Sequence, residues 1–157
     1  MPLFRQLLLK DSISINTAPE KIWDFFTTLD KNYTIWHPED HIVFKWIKGK
    51  PLEQGSTCYA EQYVTGKATK YNATLSEIIP HKKIVFKWSY PVSLMSPKVE
   101  WLIEPKGSHS VFTAITYIRA GHLLSKLFKK GMKKMVEAHN KHTWEEAKNL
   151  KKILERD

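Results

Sequence analysis

The chain has 157 residues, 42% hydrophobic and 26% charged, the size and balance of one folded domain, which excludes a disordered chain. A net charge of +9 raises nucleic acid or an anionic membrane surface as partners, but the excess lies in scattered pairs, Lys129–Lys130, Lys133–Lys134 and Lys151–Lys152; with no nucleic-acid signature, a solvated helix face is the stronger reading. Cys58 is the only cysteine, so an intrachain disulfide is excluded and a cytoplasmic setting is expected, with no signal peptide and no membrane insertion.

Residues 12–16, SISIN, alternate with Ile13 and Ile15 on one face and predict a strand. In TAPE, Thr17 is expected to cap a helix, with Pro19 in its first turn and Glu20 at the capping-box position. Ile22, Trp23, Phe26 and Leu29 then recur at helical spacing. YTIWHPEDH, residues 33–41, follows as a loop or short second helix halted near Pro38.

Strand signals come next: the alternating Ile42, Phe44 and Trp46, then Tyr59, Glu61 and Tyr63; the long segment 68–78, ended by Pro80; Ile84, Phe86, Trp88 and Tyr90 on one side; Val99, Trp101 and Ile103; and the β-branched 110–118. Gly49, Gly55, Gly66 and Gly107 mark turns between several of them. Six or seven strands at this spacing predict one antiparallel sheet. From about Leu123 the period changes to three and four, through Phe128, Met132, Met135, His139, His142, Glu146, Leu150 and Ile153. That is one stripe on a helix of roughly 30 residues. The fold class is α+β: a curved sheet wrapped around a long C-terminal helix, with a cavity between them and two short helices after the first strand. Six Trp, seven Phe and six Tyr suit an aromatic core or an aromatic-lined cavity.

This order, and above all S-I-S-I-N-T-A-P-E-K-I-W-D-F at residues 12–25, resembles the START-like helix-grip (SRPBCC) superfamily. The resemblance implies a single helix-grip domain over 1–157 that binds a small hydrophobic or aromatic ligand. Some members of that superfamily are enzymes, so resemblance at this level speaks to fold before function.

The terminal stripe is apolar until His139, then carries His142 and Glu146 before Leu150 resumes. Four residues apart on a helix, an imidazole and a carboxylate lie about 5–6 Å from each other. Buried, they need partners, and a divalent metal, zinc by the chemistry of its donors, satisfies both. Alone, such a pair is more often a surface helix stabiliser. A metal site needs a third or fourth group. Glu61 is expected on the cavity face between Tyr59 and Tyr63; the opposite register would turn Cys58, Ala60, Gln62 and Val64 inward instead. The loop offers His41, aimed by the strand it precedes, and His37, before Pro38, and either is a candidate ligand.

Tyr33-x-x-Trp36-His37-Pro38-x-x-His41, a strand Glu before Gly66, and His142-x-x-x-Glu146-x-x-Asn149-Leu150 together resemble the diacetylphloroglucinol hydrolase-type metal-dependent hydrolases. Those cleave a carbon–carbon bond to remove an acetyl group from a phenolic ring. The resemblance implies that His41, Glu61, His142 and Glu146 hold the metal and that Tyr33 faces the substrate's phenolic groups. This chain is shorter, and its segment between His41 and Glu61 is compressed.

As a hydrolase, the chain would use His139 or His37 to shuttle a proton or orient a ligand. Trp36, Trp88, Trp101, Tyr59 and Tyr63 would wall a planar substrate, or simply pack the core. The competing readings are a non-catalytic carrier of a hydrophobic ligand and a two-His, one-carboxylate iron site, the latter disfavoured by a fourth ligand. Oligomeric state, a homo-oligomer included, is left open.

Overall fold

A computed structural model describes residues 4–64, 66–121 and 129–156. Seven strands form one antiparallel sheet in the order β1-β7-β6-β5-β4-β3-β2: β1 Phe4–Ile15, β2 His41–Lys48, β3 Thr57–Tyr63, β4 Ala68–Ile79, β5 Lys83–Trp88, β6 Lys98–Lys106 and β7 His109–Gly121. Helices α1 (Pro19–Thr27) and α2 (Leu29–Trp36) connect β1 to β2, the two edges of the sheet, and α3 (Lys129–Leu154) lies against β1 and α2. This is the expected α+β helix-grip architecture. The expected start of the last helix near Leu123, and Phe128, lie outside the described residues. Among the described residues, no helix is long and apolar enough to cross a membrane.

Two local expectations change. The first strand begins at Phe4, not Ser12, because its ladder with β7 runs unbroken from Phe4 opposite Gly121 to Ile15 opposite Ser110. The run Leu7–Leu9 shows no alternation, and Leu7 and Leu8 are exposed; backbone pairing rather than burial holds it in the sheet. Thr17 does not cap α1. Ala18 occupies that position without a side-chain hydrogen bond, while Pro19 opens the helix as expected. Buried Thr17 instead offers its carbonyl oxygen to Ser110 Oγ at 2.8 Å.

The core sits between α1, α2 and the concave face. Phe25 and Phe26 of α1 and Trp36 of α2 are buried. The rings of Phe26, Phe86 and Trp36 surround Trp101, with centroids 4.6, 4.7 and 5.4 Å away, the offset and edge contacts that aromatic quadrupoles favour. On α3 the buried residues are His142, Thr143, Ala147 and Leu150. The stripe read from the sequence therefore does face inward, with a polar segment in its middle.

Candidate functional site

That polar segment borders a cavity of about 90 Å³, space for about three waters at roughly 30 Å³ each. Trp36, Phe44, Phe86, Trp88 and Trp101 form its apolar wall, and Tyr33, Gln62, Thr116, His139, His142 and Glu146 its polar one. Strand β3 presents Cys58, Ala60 and Gln62 to this space, so its register is the opposite of the one expected. Glu61, Tyr59 and Tyr63 point to the other face. There Glu61 accepts a hydrogen bond from the Tyr59 hydroxyl and sits across from Lys70 in the strand register, so its carboxylate is engaged outside the cavity. Small Cys58 and Ala60 leave room where two tyrosines would have filled it.

His41 reaches the site through a β-bulge. It lies opposite Gln62, whereas Val43 lies opposite Glu61 and Phe44 opposite Ala60. Ile42 is thus an extra residue on β2. Strict alternation would send His41 outward with Val43; the bulge re-aims it inward. From α3, His142 and Glu146 arrive one turn apart. The metal-binding atoms of His41, His142 and Glu146 all lie within 4.8 Å of one another.

Hydrogen bonding fixes how each ring can act. His41 Nδ1 donates to the Tyr33 carbonyl oxygen at 2.8 Å, since a carbonyl can only accept. Its Nε2 faces Glu146 Oε1 at 2.7 Å. His142 Nδ1 donates to Asp40 Oδ2 at 2.8 Å. Its Nε2 lies 2.9 Å from the same Glu146 oxygen, yet is buried at an angle that makes no hydrogen bond. Two imidazoles, each protonated at Nδ1, thus converge on one carboxylate oxygen. Without a cation, any Nε2 that carries no proton sets its lone pair against that carboxylate oxygen. A divalent cation removes the conflict, because neutral imidazoles ligate through Nε2 while Nδ1–H is held by a carbonyl or carboxylate. The donor set of His41, His142 and Glu146 fits such an ion.

The charges agree. Burial alone would lower the His142 imidazole, but the Glu146 carboxylate and then Asp40 push it up to about 9. Burial would likewise raise Glu146, yet His142 and then His41 hold its carboxyl well below the usual carboxylate range.

The other expected residues separate. Like His41, His37 is buried and does not line the cavity. Its Nδ1 accepts the Asp40 backbone N–H at 3.2 Å, which leaves the proton on Nε2, 2.9 Å from Glu145 Oε2. A ring that accepts at Nδ1 and donates at Nε2 has no free nitrogen to offer, although His37, Asp40 and His142 also bring ligand atoms within 4.8 Å of one another. His139 does line the cavity, with Nε2 2.9 Å from Thr116 Oγ1; burial lowers its imidazole, which Glu146 only partly offsets. The Tyr33 hydroxyl donates to Gln62 Oε1 at 2.7 Å, and its ring stacks on His41 at 3.8 Å and 3°. It therefore backs the His41 ring, a candidate ligand, as well as facing the cavity. Trp36, Trp88 and Trp101 line the cavity as expected, and Trp36 Nε1 also donates to the Glu146 backbone carbonyl at 2.9 Å. Asp40 and Gln62 were not anticipated as partners. Asp40 was findable: a carboxylate beside a candidate ligand histidine is a natural acceptor for an imidazole N–H.

A family model described as activator of Hsp90 ATPase homolog 1-like protein matches residues 16–155. No curated protein matches. Among solved structures, the chain is similar to the Zhui aromatase/cyclase from Streptomyces sp. R1128, with 13% identity, TM-score 0.73, and 97% of this chain and 95% of that one covered. It is similar to the di-domain aromatase/cyclase BexL of the BE-7585A biosynthetic pathway, with 14% identity, TM-score 0.74, and 97% and 51% covered. Norcoclaurine synthase from Thalictrum flavum, solved with dopamine and hydroxybenzaldehyde, follows at 12% identity, TM-score 0.64, and 91% and 89% covered. Likeness at such identities speaks for the fold.

Proposed function

The chain belongs to the activator of Hsp90 ATPase homolog 1-like protein family, within the START-like helix-grip superfamily, and on that premise we propose that it is a divalent-metal-dependent hydrolase of a small aromatic acyl-ketone bound in its cavity. The observation that carries the reading is the convergence of His41 Nε2 and His142 Nε2 on Glu146 Oε1, at 2.7 and 2.9 Å, beside an aromatic wall. Three protein ligands are the complement of a catalytic zinc site, which keeps a further position open.

A bound divalent ion would supply Lewis acidity toward a ketone oxygen and a water of lowered pKa. The chain supplies the rest. Trp88, Trp101 and Phe86 would take a planar ring against their faces. Tyr33 and Asp40 hold the two ligating rings. Hydrolysis would add water's oxygen to the acyl carbon, break the aryl–acyl bond, and return a proton to the ring carbon. His139, whose lowered imidazole is neutral near pH 7, can take and give a proton in that state and is the residue proposed for that transfer.

The test is metal analysis of untagged protein, with hydrolysis assays on acylated phenols. About one divalent ion per chain is expected. His142→Ala should drop well below that while its circular dichroism stays native; unchanged stoichiometry rejects the ligand assignment. Because Glu61 faces away, the reason for disfavouring a two-His, one-carboxylate iron site is gone. Activity with iron(II) and oxygen but not zinc would favour that chemistry. Ligand binding with no metal at all would favour the carrier reading.

A further inference from the structure

We infer that Asp40 is a positioning residue, which locks the His142 ring so that Nε2 is presented to the cavity. The inference rests on the metal-site reading above, but its geometry stands independently. Asp40 Oδ2 lies 2.8 Å from His142 Nδ1, and the His142 imidazole forms a partition. One side of it faces the cavity, and the other faces an outer cleft lined by Asp40, Lys141 and Glu145. With Nδ1–H held on the cleft side, the ring cannot turn over, and Nε2 is left to face Glu146.

Asp40 can do this because it is itself held at several points. Its backbone N–H is shared between the His37 carbonyl oxygen and His37 Nδ1, both at 3.2 Å, and its carbonyl oxygen accepts the Tyr63 N–H of β3 at 2.8 Å. His37 then donates from Nε2 to Glu145 Oε2 at 2.9 Å, and its ring lies nearly parallel to His142, 5.0 Å away at 17°. The relay Glu145–His37–Asp40–His142 therefore leaves α3 and returns to it three residues away. It ties the turn before β2 to the same helix that carries two of the three candidate ligands. The loop that delivers His41 also supplies the acceptor that orients His142, so both rings are set by one segment. A carboxylate in this place makes the imidazole a stronger ligand as well as a fixed one.

The experiment compares wild type with Asp40→Ala and Asp40→Asn. The first readout is the downfield Nδ1–H proton resonance of His142 in metal-free protein, assigned by its loss in His142→Gln. The second is zinc affinity, measured by competition with a chelator. Asp40→Ala is expected to lose the resonance to exchange and to bind zinc about 10–100-fold more weakly. Asp40→Asn keeps a carbonyl acceptor without the charge, so it should retain the resonance and fall between the two in affinity. If Asp40→Ala does not fold, Asp40→Asn carries the test. Wild-type zinc affinity in every variant that folds overturns the inference, as does a His142 resonance indifferent to Asp40→Ala. If wild type takes no zinc while the resonance still depends on Asp40, the positioning role holds and the metal reading fails.

Discussion

His41 lies opposite Gln62, one step out of phase with Val43 opposite Glu61. That single extra residue, Ile42, brings His41 round to Glu146. Inserting one residue between Glu61 and Gln62 gives Ile42 a partner, so it should restore strict alternation with Ile42 inward and turn His41 outward. The expected result is loss of bound metal with native-like circular dichroism. Full metal occupancy in the insertion variant would show that the bulge does not aim His41.

Glu61 supplies the complementary case. Its carboxylate is engaged by Tyr59 on the far face, so Glu61→Gln should leave metal stoichiometry at the wild-type value. Elemental analysis decides it. A fall comparable to that of His142→Ala would place Glu61 among the ligands after all.

Trp36 joins the core to the site. It is fully buried, and its indole N–H reaches the Glu146 backbone carbonyl. Trp36→Phe removes that hydrogen bond and part of the packing against Trp101, and should cost about 2–3 kcal/mol in urea unfolding. Trp144→Phe, on the exposed face of α3, should stay within about 0.5 kcal/mol. Equal losses would mean that Trp36 packs no better than a surface residue.

Metal-free protein should show a characteristic pH dependence. The His142 imidazole sits at about 9, above its ordinary 6.5, so its contribution is complete below about pH 6.5 and is lost as pH rises toward 9. Glu146 is held below its ordinary 4.5, so its contribution is present above that value and lost as pH falls. In chelator, the urea midpoint should therefore be highest between about pH 4.5 and 6.5 and decline on both sides, by at most about 1.4 kcal/mol per pH unit for each proton. His142→Gln should flatten the alkaline decline. A wild-type midpoint that stays level from pH 6.5 to 9 contradicts the pairing.

Much of this was legible in the chain itself, for identifiable reasons. Ile42, Phe44 and Trp46, like Val99, Trp101 and Ile103, alternate because the two faces of a sheet differ, and the step to period three or four near the C-terminus marks α3. His142 and Glu146 were legible because two polar groups interrupt an apolar stripe, and burial makes such an interruption costly unless something binds it. Glu61 misled because a strand has two faces and aromatic side chains occur on both: Tyr59 and Tyr63 looked like a cavity wall but line the outer one.

The sequence by itself determined the order of elements, the antiparallel sheet, the long helix and the inward aim of His142, all of which follow from local periodicity. Only the tertiary structure decided the register of β3, the bulge at Ile42, the turning of His41 toward Glu146 and of His37 toward Glu145, and the partnership of Asp40 with His142. Those depend on which backbone and side-chain groups meet across residues far apart in the chain. Hydrogen-bond acceptors such as the Tyr33 carbonyl oxygen leave no trace in side-chain composition.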